Sequence, residues 1–270
     1  KSLTSKWNNL IGSNIPVYAK DCDRKFFINY FDNFSFKKNI PNCLKTNNSN
    51  SDKKKIFILG DSHADMIYNA AFKRNSQEFN FIRVPLDRCA FQTLQQKSLC
   101  REQFLNSLKA VKSEFNSNND FLLISFWLDK YSKNTIEPVK KFLSDWSRDS
   151  LKGINNNRVA FAVTKYSSSN LINDAMCNTH RLFKKSQLCQ EGYEVSSELL
   201  KMRYTLRKGL KARNVKYIDY SDNLCFKKDN IYKCPHLSEG QENYFIDNHH
   251  LDIRYSSDLL NIFIKQKSSY

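Results

Sequence analysis

From Lys53 onward, two rhythms of apolar and polar positions alternate along the chain. Short apolar blocks fall near 55–60, 79–85, 120–127, 158–164 and 215–220, each of strand length and apolar enough to be covered on both faces. Between them, near 64–75, 98–116, 136–152 and 196–213, apolar residues recur at the three- and four-residue spacing of amphipathic helices. A last helix is predicted over 253–267, with Ile253, Leu259, Leu260, Phe263 and Ile264 on one face and Asp252 as its N-cap. Strands alternating with helices predict an α/β fold, a five-stranded parallel sheet in a three-layer sandwich, because each crossover helix must bury its apolar stripe on the sheet. The segments 165–195 and 221–245 carry no readable period and are expected to be loops that set specificity.

Residues 1–52 follow neither rhythm. Trp7, Tyr18, Phe26, Phe27, Tyr30, Phe31 and Phe34 are scattered among polar residues, too many aromatics for a free linker. The expectation is an irregular N-terminal extension, 1–52, that packs on a main domain of 53–270, with the Asn/Ser tract 47–52 as the connection. The chain begins with Lys1 rather than Met, so a processed chain or an excised fragment is expected, with any anchor lying upstream.

Composition adds limits. With 270 residues, 40% of them hydrophobic and 26% charged, the chain can build one sizeable core, which excludes general disorder. Its most apolar stretch, 121–128, is far shorter than the roughly 18 residues of a membrane helix. The formal charge of +16 suits either an anionic partner or simply a solvated, lysine-rich surface. The basic residues are spread out, as in Lys53-Lys54-Lys55, Lys184-Lys185 and Lys227-Lys228, with no basic helix and no aromatic pattern for stacking bases. Nucleic acid is therefore not expected, and an anionic membrane surface is the better second choice.

The eight cysteines fall into local pairs: Cys22 with Cys43, Cys89 with Cys100, Cys177 with Cys189, and Cys225 with Cys234. Each pair would staple a short polar loop, as disulfides do in an oxidising compartment, which points to the periplasm or the cell exterior. Buried free thiols in a cytosolic enzyme are the alternative; a structural zinc site would call for C-x2-C spacing, which the chain lacks.

Two motifs carry candidate chemistry. Gly60-Asp61-Ser62-His63 sits between the first strand and the first helix, where strand ends form a crevice and helix N–H groups favour developing negative charge. Asp247-Asn248-His249-His250 precedes the last helix, and a loop there is free to aim Asp247 and His250 at Ser62. Ser62 would be the nucleophile and His250 the base, with Asp247 fixing the imidazole tautomer. His249 is the competing register, and a cluster of surface polar residues at a helix start is the structural alternative. His63 reads as a helix-start residue, His180 and His236 lie in or beside the cysteine loops, and no metal site is implied.

Gly60-Asp61-Ser62-His63 and Asp247-x-x-His250-Leu251 resemble the first and last blocks of the SGNH (GDSL-like) hydrolase superfamily, over about residues 53–270. The stretch from Cys225 to Cys234 with Tyr244-Phe245-Ile246-Asp247-Asn248-His249-His250-Leu251 further resembles the SGNH domains fused to acyltransferase-3 membrane proteins. The resemblance implies a flavodoxin-like SGNH fold and a bacterial O-acetyltransferase of surface polysaccharides, including O-antigen and lipopolysaccharide. It also implies a place at the periplasmic face of the inner membrane, next to an acyltransferase-3 domain of the same polypeptide. No cofactor is expected in this domain, with acetyl-CoA the ultimate donor on the membrane-domain side. Ser62, His250 and Asp247 correspond to nucleophile, base and orienting carboxylate.

The superfamily also carries a Gly after its second strand and G-x-N-D after its third, both donors to the oxyanion. This chain has Leu86-Asp87-Arg88-Cys89 and Ser125-Phe126-Trp127-Leu128 there. Loss of one such donor costs about 10²- to 10³-fold in rate. The expected substitutes are the Ser62 N–H, a backbone N–H near Arg88 or Cys89, and the Trp127 indole N–H, with Trp127 alternatively a core or substrate-stacking aromatic. The same triad with water as acceptor is a carbohydrate or lipid esterase, and the replaced donors leave a catalytically silent glycan-binding module as a third class.

Overall fold

Hydrophobic blocks become strands where both faces can be covered, and that condition orders the whole chain. The structure, a computed structural model, describes residues 40, 42–46, 53–74, 77–86, 89, 99–128, 136–145, 153–164, 166, 177, 189, 192–236 and 252–267. In chain order these form β1 (Lys54–Gly60), α1 (Ser62–Arg74), β2 (Phe79–Pro85), α2 (Leu99–Glu114), β3 (Phe121–Ser125), α3 (Ile136–Asp145) and β4 (Val159–Val163). There follow β5 (Tyr193–Glu194), α4 (Ser197–Lys211), β6 (Lys216–Asp219), β7 (Phe226–Lys228), β8 (Ile231–Cys234) and α5 (Ile253–Lys267).

The main sheet has the order β2-β1-β3-β4-β6 with every neighbour parallel. β3 and β4 are buried at every position, as two covered faces require. The expected five strands are all present, with ends shifted by a residue or two. The predicted 136–152 helix is described as far as Asp145.

Helices cover the sheet in two groups. α1 packs with α5, and the Arg74 guanidinium donates to Asn261. α2 reaches α3 through the Arg101–Asp145 ion pair at 2.9 Å and the Phe104 and Phe142 rings at 6.4 Å. α3 packs on α4 so closely that a Cβ at Gly209 would lie 2.1 Å from Leu143 Cδ1. This division follows from right-handed crossovers in a sheet whose chain first steps from β1 to β2 and then turns back past β1. Ser196 caps α4 by accepting the Leu199 N–H at 3.3 Å.

From the expected extension, residues 40 and 42–46 are described. Ile40 and Leu44 are buried in the main core, and Lys45 bridges antiparallel to Ile82 of β2. Glu114 at the end of α2 accepts the Ile40 N–H at 2.9 Å and the Lys45 ammonium at 3.1 Å.

A second sheet occupies segments expected to be patternless loop. β5, β8 and β7 form an antiparallel order, with β7 and β8 joined by Asp229-Asn230 at φ 50° and 63°. Those left-handed residues make a two-residue hairpin turn whose twist matches the strands. Disulfides join Cys89 to Cys100, Cys177 to Cys189 and Cys225 to Cys234, as the local pairing predicts. Cys43 is disulfide-bonded too, and its expected partner, Cys22, lies outside the described residues. Among the described residues no helix is long and apolar enough to cross a membrane.

Candidate active site at the carboxyl edge of the sheet

The row Pro85, Gly60, Ser125 crosses three strands in register, so residues just beyond it line one rim. Gly60 sits at φ 151°, and a Cβ there would lie 1.7 Å from the Ser125 carbonyl oxygen. Only glycine lets β1 close on β3 here and still turn into α1. Ser62 is the first residue of α1, half-buried, one residue into the helix rather than in a loop before it. Its position at a helix N-terminus places it among the N–H groups that favour negative charge.

Asp61 sets the turn. Its carboxylate Oδ1 accepts the His63 N–H at 2.9 Å, which caps α1, while Oδ2 accepts the Trp127 N–H at 2.8 Å. Burial raises the Asp61 carboxyl to about 6, against the pull of those two backbone bonds and of the Arg83 guanidinium. Arg83, fully buried on β2, spends all five of its N–H groups locally. Nε reaches Asp65, Nη1 reaches the carbonyls of Ile58 and Val84, and Nη2 reaches those of Gly60 and Asp61, all within 3.1 Å.

His63 is buried behind Ser62. Its Nδ1 lies 3.0 Å from Thr164 Oγ1 just past β4, and its ring stacks on Trp127 at 5.8 Å with planes 15° apart. Trp127 is half-buried, and its backbone N–H belongs to Asp61. Cys89 is buried, bonded to Cys100, and donates its N–H to the Leu86 carbonyl at 3.2 Å. The Leu86 N–H in turn donates to the Gly60 carbonyl at 2.7 Å.

Arg203 of α4 plays for β4 and β6 the part Arg83 plays for β1 and β2. Buried, it donates to the Thr164 carbonyl at 2.8 Å, pairs with Asp219 at 2.9 Å and lies 3.7 Å from the Tyr166 ring centroid.

Asp247, His249, His250 and Arg88 lie outside the described residues, as does His180. Asp252, two positions past His250, accepts the Arg254 N–H at 3.0 Å and is the predicted N-cap of α5. Tyr255 and Asp258, in the first turns of α5, meet Tyr220 directly after β6, with rings 6.4 Å apart and a 3.4 Å hydrogen bond. The start of α5 therefore lies at the carboxyl edge of the sheet, the edge at which β1 leads into Ser62. Among the described residues no three His, Cys, Asp or Glu side chains gather as metal ligands would.

Asp61 stood in the first motif with no role of its own, and Arg83 and Thr164 were not singled out. The one available signal was Arg83 itself, a lone charge in the otherwise uncharged strand Phe79–Pro85.

The sequence model described as "SGNH domain (fused to AT3 domains)" matches residues 28–265. The chain belongs to this SGNH family. No curated protein matches this SGNH domain significantly in sequence. Its fold is similar to that of the lipopolysaccharide acetyltransferase periplasmic domain of Salmonella ser. Paratyphi A, with a TM-score of 0.59 at 17% identity. That likeness covers 92% of this SGNH domain and 98% of the Salmonella chain, so the shared architecture spans the whole unit.

Proposed function

We propose that this SGNH domain transfers an acetyl group to a sugar hydroxyl of a bacterial surface polysaccharide, O-antigen or lipopolysaccharide, through an acetyl-Ser62 intermediate. The observation that carries the reading is Ser62 opening α1 at the carboxyl edge of the sheet, in a member of a family fused to AT3 domains. The Salmonella protein of similar fold is a lipopolysaccharide acetyltransferase, which supports the choice of acceptor.

In this reading His250, oriented by Asp247, takes the Ser62 proton while Oγ attacks the acetyl carbonyl of the donor. The bond to the donor's leaving atom breaks, and that atom leaves with the proton from His250. A sugar hydroxyl then gives its proton to His250 and attacks the acyl carbon, and Ser62 Oγ recovers the proton as it leaves. The oxyanion is held by the Ser62 N–H with a backbone N–H near Arg88 and the Trp127 indole; the Cys89 N–H bonds Leu86 in this state. The domain works at the periplasmic face of the inner membrane, beside an acyltransferase-3 domain of the same polypeptide that delivers acetyl groups originating from acetyl-CoA. Two supports for that location are the disulfides and the family's fusion to AT3 domains.

Ser62→Ala tests it. The variant is expected to lose polysaccharide acetylation in the full-length protein and any ester hydrolysis by the domain; retention of both removes the acyl-serine from consideration.

A further inference from the structure

We propose that Asp61 is a positioning residue, a two-amide clamp that fixes the Ser62 turn against the chain leaving β3 and holds only while its carboxyl group is ionised. The two oxygens are taken by N–H groups from different elements, His63 in the first turn of α1 at 2.9 Å and Trp127 beyond β3 at 2.8 Å. Asp61 is 8% exposed, so no water shell replaces a lost partner. A neutral carboxyl keeps one strong acceptor, its carbonyl oxygen. The hydroxyl oxygen accepts only poorly and brings a proton of its own to the crowded site, so one of the two bonds is weakened or lost. Either loss matters. Without the His63 bond the helix start that carries Ser62 loosens, and without the Trp127 bond the chain after β3 is no longer tied to it.

The surroundings are built for this clamp. Among the described residues, its charged or titratable neighbours are Arg83 from β2, and Asp65 and His63 from α1. Arg83 Nη2 holds the Asp61 carbonyl at 2.9 Å, so main chain and side chain of one residue are fixed from opposite sides. The Arg83 charge favours the ionised form, Asp65 disfavours it, and burial outweighs both to bring the group to about 6. His63 stacks on the ring of the same Trp127 whose amide Asp61 holds, so the two contacts support one placement of residue 127. Asp61 acts through Ser62 and Trp127 and touches no reacting atom. Its consequence for catalysis rests on the acyl-serine reading above.

The decisive measurement is an amide titration of the 270-residue chain by ¹⁵N–¹H NMR. The His63 and Trp127 amide protons are expected to move together, with one midpoint near 6, as pH falls from about 8 to about 4.5. The midpoint should survive His63→Gln and vanish in Asp61→Asn. Separate midpoints, no titration, or a midpoint that persists in Asp61→Asn overturns the clamp. If Asp61→Asn does not fold, the wild-type and His63→Gln titrations still decide. As a functional arm, fluorophosphonate labelling of Ser62 at about pH 8 should slow about 10- to 100-fold in Asp61→Asn, in the limiting rate and not in the half-saturating concentration. An unchanged limiting rate also overturns the positioning role. A wild-type chain that takes no label on Ser62 counts against the acyl-serine reading and leaves the amide titration to judge the clamp.

Discussion

Arg83 and Asp65 meet Nε to Oδ1 at 2.6 Å with side chains 0% and 6% exposed, an ion pair sealed beneath the turn that carries Ser62. The other four donors of Arg83 go to carbonyls, so the guanidinium holds β1, β2 and the head of α1 at once. Removing one member of such a pair strands the other charge, which costs about 3–5 kcal/mol. Arg83→Met and Asp65→Asn should each lose that much in urea unfolding. Arg83→Lys should lose nearly as much, because three donors on a point charge cannot meet five acceptors. The double variant should lose less than the two single losses combined. Full additivity would show that the two side chains do not act as a pair.

Gly60 has no room for a methyl group, since the Ser125 oxygen lies 1.7 Å from where a Cβ would be. Gly60→Ala must push β1 from β3 at the last register pair or rotate the turn out of φ 151°. The expected outcome is a loss of at least about 2 kcal/mol in stability, with Ser62 labelling reduced at temperatures where the variant is still folded. A variant that labels at the wild-type rate would mean the turn tolerates the shift and Ser62 does not depend on it.

Two disulfides close loops of similar length, with sequence separations of 11 for Cys89–Cys100 and 9 for Cys225–Cys234. Chain entropy assigns each about 2–3 kcal/mol. Replacing either pair with serines should therefore cost similar stability in urea unfolding. Only loss of Cys89–Cys100 should also slow Ser62 labelling, because Cys89 follows β2 and bonds Leu86, whose N–H holds the Gly60 carbonyl. Equal labelling by the two variants would separate the segment after β2 from the site.

How much of this was legible in the sequence depended on the range of the forces involved. β1 and α1 were readable because an apolar block followed by an amphipathic stretch is a local pattern, and the Gly60-Asp61-Ser62-His63 turn falls between them. β7 and β8 were not readable. Phe226-Lys227-Lys228 and Ile231-Tyr232-Lys233 are too short and too charged to show a period, and the signals were the Asp229-Asn230 turn and the flanking Cys225 and Cys234. Arg83 stands out in the sequence only as a charge in an apolar block, since its five acceptors converge only once β1, β2 and α1 are assembled. The Asp61 clamp is less readable still, for its second partner is 66 residues away. Long-range polar satisfaction leaves no local trace.

The buried Asp61 carboxyl also has a consequence for stability with pH, and its sign is opposite to that of an ordinary salt-bridged aspartate. Burial lifts the folded group from 3.8 to about 6, so between those values the folded chain binds the proton and the unfolded chain does not. Stability from this group is therefore greatest below about pH 4 and declines as pH rises to about 6, after which both states are ionised. At about 1.4 kcal/mol per pH unit the decline amounts to about 3 kcal/mol. Asp61→Asn does not titrate, so wild-type minus variant stability should fall by up to about 3 kcal/mol from about pH 4 to about pH 7 and stay level above. Urea unfolding of both chains in matched buffers gives that difference directly, free of the other carboxylates, which titrate alike in the two. A level difference across that range would mean that the carboxyl ionises at its ordinary value despite its burial. A falling one means the form that accepts both backbone N–H groups is the less stable of the two, so the chain gives up stability at neutral pH to keep the Ser62 turn and the strand after it in one arrangement.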